Sequence, residues 1–172
     1  CEVLEQAGIL EVFSAEDRQV VHDGVLYHNR RELPPGIPES SLRFIKIVRD
    51  ADKLDIFRVV YEAIKHGHLR DYPEITLGLD LDGPVSLDLL EDIRNGQMGG
   101  YHKLKSLMDV YLVQVSWVYD FNYRPSLARM KQRMILEKLG EMLPPDPAVQ
   151  DVVQSASRHL KERLGLADAR PS

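Results

Sequence analysis

The segment Ile47-Val48-Arg49-Asp50-Ala51-Asp52-Lys53-Leu54-Asp55-Ile56 decides how this chain folds, because it sets acidic side chains inside an apolar helical stripe. At the helical period Ile45, Val48 and Val59 share a face with Asp52 and Asp55, so the spacing predicts two inward carboxylates. An ionised carboxylate is costly to bury alone, and an arginine, a lysine or a bound metal is the usual remedy. Phe44, Ile47, Ala51 and Leu54 form a second apolar row, which predicts burial over much of the helix.

On the N-terminal side of this helix, Leu33-Pro34-Pro35-Gly36-Ile37-Pro38 must be a rigid extended loop, since proline fixes its own φ and restrains the residue before it. Before the loop, Ser14 followed by Asp17 approximates a capping box and opens a helix from Ala15 to about Asn29. The chain starts at Cys1 in what reads as mid-helix, Glu2-Val3-Leu4-Glu5-Gln6-Ala7, closed by Gly8, and the expectation is that sequence upstream is missing.

On the C-terminal side, Ser40 or Ser41 caps the long helix, which reaches about His66 and closes at Gly67. Ile75-Thr76-Leu77-Gly78-Leu79-Asp80-Leu81 alternates and suggests at most a short strand or extended arm. Ser86 caps a short helix ending at Asn95-Gly96, and Gly96 to Gly100 reads as a flexible joint without the lysine of a phosphate loop. Leu104, Leu107, Tyr111, Leu112, Val115 and Val118 predict a long helix to about Asn122, and Pro125-Ser126 begins another through Leu143. Pro144, Pro145 and Pro147 precede a last amphipathic helix from about Ala148 to Leu164, and 167–172 reads as a flexible polar tail. These periods define an all-α fold, expected as one helical domain over 1–166.

A length of 172 residues suits one domain with a substantial core. No apolar run approaches the ~20 residues of a membrane span, so no membrane partner is expected. A net charge of -5 argues against general attraction to nucleic acid. With Cys1 as the lone cysteine there is no internal disulfide and no cysteine-based zinc site, and a reducing cytoplasm is the expected compartment.

Gly24-Val25-Leu26-Tyr27-His28-Asn29, then Leu33-Pro34, then Ile47 to Asp55 resembles the C-terminal part of HD-domain metal-dependent phosphohydrolases. Val115-Ser116-Trp117-Val118-Tyr119-Asp120 looks like the tail helix of bacterial members. The resemblance implies an HD-type helical bundle in which a histidine, an adjacent histidine-aspartate pair and a distant aspartate hold a divalent metal, with further histidines for a second ion in some members. Asp52 matches the distant metal-binding aspartate, and His28 matches one of the additional histidines. The first histidine and the apolar-flanked histidine-aspartate pair have no counterpart before His28, so the implied shell is incomplete in the given sequence. The implied activity is hydrolysis of a phosphomonoester or nucleotide by a metal-activated water, with no catalytic side chain assigned. A non-catalytic helical binding or regulatory module derived from an HD domain is the alternative.

The residues themselves bear on these roles. Carboxylate oxygen and imidazole nitrogen suit manganese, iron, nickel, cobalt or zinc better than calcium, and the resemblance leaves magnesium in the set. For Asp52 the alternative is a salt bridge to Arg49, Lys53 or Arg43, and for His28 a helix-terminal imidazole bonded to backbone carbonyls. Lys53 is either a substrate-phosphate contact beside Asp52 or a solvent-facing lysine. Asp55 either orients a metal ligand from outside the shell or pairs with Arg58.

The remaining polar groups read as structural. Arg30 and Arg31, beside the proline loop, either supply a positive rim for substrate phosphate or solvate the helix end, and the second reading is preferred. His22-Asp23 reads as a solvated helix face, since at ~100° per residue His22 and His28 point well apart. Asp80-Leu81-Asp82-Gly83 reads as a turn, His66 and His68 as helix-terminal groups, and Trp117 as core.

Overall fold

Ser14 starts the first long helix as its position demands. Its hydroxyl accepts from the Asp17 amide at 3.1 Å and donates to the Asp17 carboxylate at 2.8 Å. In the computed structural model, which describes residues 2–30, 32–68, 76 and 78–166, the helices are α1 (Glu2–Gln6), α2 (Ala15–Tyr27), α3 (Glu39–Lys65), α4 (Leu87–Arg94), α5 (Leu107–Ser116), α6 (Arg124–Gln132), α7 (Ile135–Met142) and α8 (Pro147–Arg163). Short 3₁₀ turns lie at Tyr101–Lys103 and Trp117–Tyr119. Among the described residues there is no strand, only an isolated parallel bridge between Asp80 and Ser106, and the fold is all-helical as the periodicity predicts. Cys1, Arg31, Ile75, Leu77 and the tail 167–172 lie outside the described residues. No helix among the described residues is long and apolar enough to cross a membrane.

The chain divides into two compact units, Cys1–Lys53 and Leu54–Ser172. Helix α3 contributes residues to both. In the second unit Phe57 and Val60 of α3 join a core that includes Leu89, Leu112, Leu127, Leu136 and Val152. The Phe57 and Trp117 rings meet edge-on with centroids 5.1 Å apart, so Trp117 is a core residue as its apolar setting implies.

Two expected helices are shorter than their apolar periods suggest, each for a local reason. The one predicted from Leu104 begins at Leu107, because Ser106 and Asp109 form a capping box that fixes the first turn. Asp109 is fully buried, and its carboxylate accepts from Ser86 N (2.7 Å), Ser86 Oγ (2.7 Å), Lys105 N (2.8 Å) and Ser106 N (3.3 Å). Ser86 does stand at the N-cap of α4, but its hydroxyl bonds to Asp109 rather than capping that helix. The helix predicted from Pro125 to Leu143 is broken at Met134, whose φ of 53° and ψ of 43° place a non-glycine residue in the left-handed region. That conformation costs roughly 1–2 kcal/mol, which burial of Leu127 and Met130 on one side and Ile135 and Leu136 on the other offsets.

On α8 the His159 ring lies 4.8 Å from the Tyr119 ring, and its Nε2 is buried without a hydrogen-bond partner among the described residues. Burial holds its pKa below the usual 6.5, and the Arg163 charge pushes in the same direction against Glu162.

Two outcomes follow from these buried groups. Asp109→Ala removes the acceptor of the donors named above and is expected to lower unfolding stability by ~3 kcal/mol in urea titration, with Asp109→Asn costing less. Because the unfolded chain protonates His159 more readily than the folded one, the neutral ring stabilises the fold fully above its unfolded pKa. Thermal stability should therefore fall as the pH drops below about 6.5, and His159→Phe should flatten that part of the profile. An unchanged slope in the variant would show that another group titrates.

Candidate functional site

The close approach of α2 and α3 begins at Gly24. A Cβ on Gly24 would lie 2.6 Å from Phe44 Cδ1 and 3.6 Å from Val48 Cγ2, so glycine lets α2 press directly onto α3. Arg49 of α3 donates from Nη1 to the Arg30 carbonyl just beyond the end of α2. The element that ends at His28 thus packs on the helix that carries Asp52.

His28 sits at the C-cap of α2, where its backbone amide donates to the Gly24 carbonyl at 3.2 Å. Its Nδ1 lies 2.8 Å from the Val25 carbonyl. A carbonyl only accepts, so Nδ1 carries the proton and Nε2 of the neutral ring is left as a lone-pair donor. The helix-terminal reading of His28 is therefore realised at one nitrogen, and the other stays available to a ligand.

The buried seam of α3 differs from the predicted one. Ser41, Ile45, Arg49, Lys53 and Phe57 recur every four residues and are all buried. Ile47 and Val59 are 53% and 42% exposed, so the apolar rows drawn through them are displaced around the axis. The fully inward carboxylate is Asp50, at 1% exposure, which the sequence reading missed. Its only signal was its register with Lys53 and Phe57, three and seven residues on.

Asp52 is half-buried and makes no ion pair or side-chain hydrogen bond with a described residue, so the alternative salt bridge to Arg43, Arg49 or Lys53 is not formed. Asp55 corrects the expectation of a second inward carboxylate. It is exposed and accepts from Arg58 Nη2 at 2.8 Å and Nε at 3.1 Å, the pairing that competed with a ligand-orienting role. Lys53 is buried on the α3 seam and has interaction partners, so it is not the solvent-facing lysine of the alternative.

His22-Asp23 is not the solvated face expected. Asp23 is buried and accepts from Gln19 Nε2 at 2.7 Å, with His22 Nδ1 3.9 Å away. His66 behaves as a helix-terminal group, its Nδ1 2.9 Å from the Glu62 carbonyl.

The chemistry of the His28 and Asp52 donors suits a divalent cation, but their number does not complete a shell. Among the described residues no group of three or more histidine, cysteine, aspartate or glutamate side chains is placed to hold one. No protein-family model, curated protein or solved structure matches this chain.

Gly24→Val drives a branched side chain into Phe44 and should cost ~1–3 kcal/mol of stability in denaturant titration. Restored stability in Gly24→Val with Phe44→Ala would identify that contact as the cause, and an unaffected single variant would refute the close approach.

Proposed function

We propose that this chain contributes Asp52 and His28 to the divalent-metal site of an HD-type phosphohydrolase acting on a phosphomonoester or nucleotide. The observation that carries the reading is Asp52 itself: a half-buried carboxylate on a helix with buried arginine and lysine neighbours, yet engaged by neither. His28 supports it through the hydrogen bond that fixes its proton on Nδ1 and leaves Nε2 to bind. A divalent ion bound there would acidify a water and neutralise charge on the phosphoryl oxygens. The part of the chain is to present one oxygen donor and one nitrogen donor from packed helices, which limits the freedom lost when a ligand binds. Since these supply fewer than the three protein ligands of a typical catalytic site, the shell requires donors beyond the described residues.

That shortfall also favours a second reading, a non-catalytic helical module whose α2 and α3 retain the frame of such a site. Metal analysis of the full-length protein separates the two. The hydrolase reading expects bound manganese, iron, nickel, cobalt, zinc or magnesium and phosphatase turnover with one of them. Asp52→Ala should then lose metal and at least ~10²-fold in turnover with its circular dichroism unchanged, and His28→Ala should weaken metal binding by ~10-fold or more. A metal-free protein without turnover, or full activity in Asp52→Ala, would sink the hydrolase assignment.

A further inference from the structure

The second unit contains a cavity of about 370 Å³ between α3 and the α6–α7 break, within the range that small-molecule sites occupy. Phe57, Val60, Ile135 and Leu139 give it apolar walls. A buried glutamine interrupts them. Gln114 of α5 lines the cavity at 2% exposure, and its amide makes no hydrogen bond with a described residue. The amide therefore offers two donors and an acceptor to whatever enters the cavity.

The cavity also has a charged side. Arg58, Arg133 and Lys138 line it against one acid, Glu62. Arg58 is held by Asp55 at 2.8 Å, and Glu62 lies 3.6 Å from His66. Arg133 is tethered through Nη1 to the Leu54 carbonyl at 3.2 Å, which leaves its other guanidinium donors to meet an anion. Lys138 Nζ lies 4.6 Å above the Tyr61 ring, a position that holds the ammonium without a carboxylate partner. An unbonded amide on the cavity wall, apolar walls and two cations form a graded site: a planar group with its own donor and acceptor edge pairs with the glutamine, and an attached anion reaches the basic residues.

We infer that this cavity binds a purine nucleoside monophosphate, with the base edge on Gln114 and the phosphate between Arg133 and Lys138. The inference does not rest on the metal reading, because every residue it uses lies in the second unit.

Calorimetric titration of the full chain with AMP and GMP, beside adenosine, guanosine and inorganic phosphate, tests it. At least one nucleotide should bind saturably, at least ~10-fold more tightly than both its nucleoside and phosphate alone. Gln114→Met, which keeps the side-chain volume, should weaken that nucleotide by ~10-fold or more. The double variant Arg133→Ala with Lys138→Ala should bring it down to the affinity of the nucleoside, and it serves as a second handle should the Gln114 variant fold poorly. Absence of binding by both nucleotides, unchanged affinity in Gln114→Met with its fold intact, or equal binding of phosphate alone would overturn the inference.

Discussion

Charge buried along α3 is the constraint on which the rest of this molecule depends. A helix that places Arg49, Asp50 and Lys53 at 9%, 1% and 9% exposure must give each a partner, because desolvating an isolated charge costs more than packing alone returns. The Arg49 bond to the Arg30 carbonyl shows how this organises the chain, since it ties the loop after α2 to the middle of α3. Together with the bare Gly24 surface under Phe44 and Val48, it sets where α2 ends and so where His28 stands. One turn beyond Val48, Asp52 leaves the seam and is spared from the buried charge network.

The second unit solves a similar problem with a single anion. Asp109 collects donors from the segment before α4 and from the start of α5, so one carboxylate both caps a helix and anchors a loop. The cost of burying it is offset by charge-assisted hydrogen bonds to fixed donors, an arrangement more rigid than an ion pair between long side chains. Gln114, five residues along the same helix, is treated in the opposite way and keeps its amide unspent beside a cavity.

Helix content was readable because capping residues and prolines act through the backbone within a few residues. Ser14 capped α2, Pro125 lies in the first turn of α6, and Pro147 opens α8, all by local geometry. Phase around α3 was not readable to the same degree. Ile47 and Val59 are exposed apolar residues, and Arg49 and Lys53 are buried cations, so a hydrophobic stripe drawn from residue type alone is displaced. The interruption at Met134 was equally hidden, since methionine carries no turn signal and only the packing of its neighbours holds it in the left-handed region.

By itself, then, the order of residues determined an all-helical chain and most of its helix boundaries, which follow from backbone preferences acting over a few residues. Tertiary structure alone decided which carboxylates turn inward, which are spent on neighbours and where an amide meets empty space. The reason is physical: desolvation and pairing depend on groups brought together from distant positions, and no local period encodes who the partner will be.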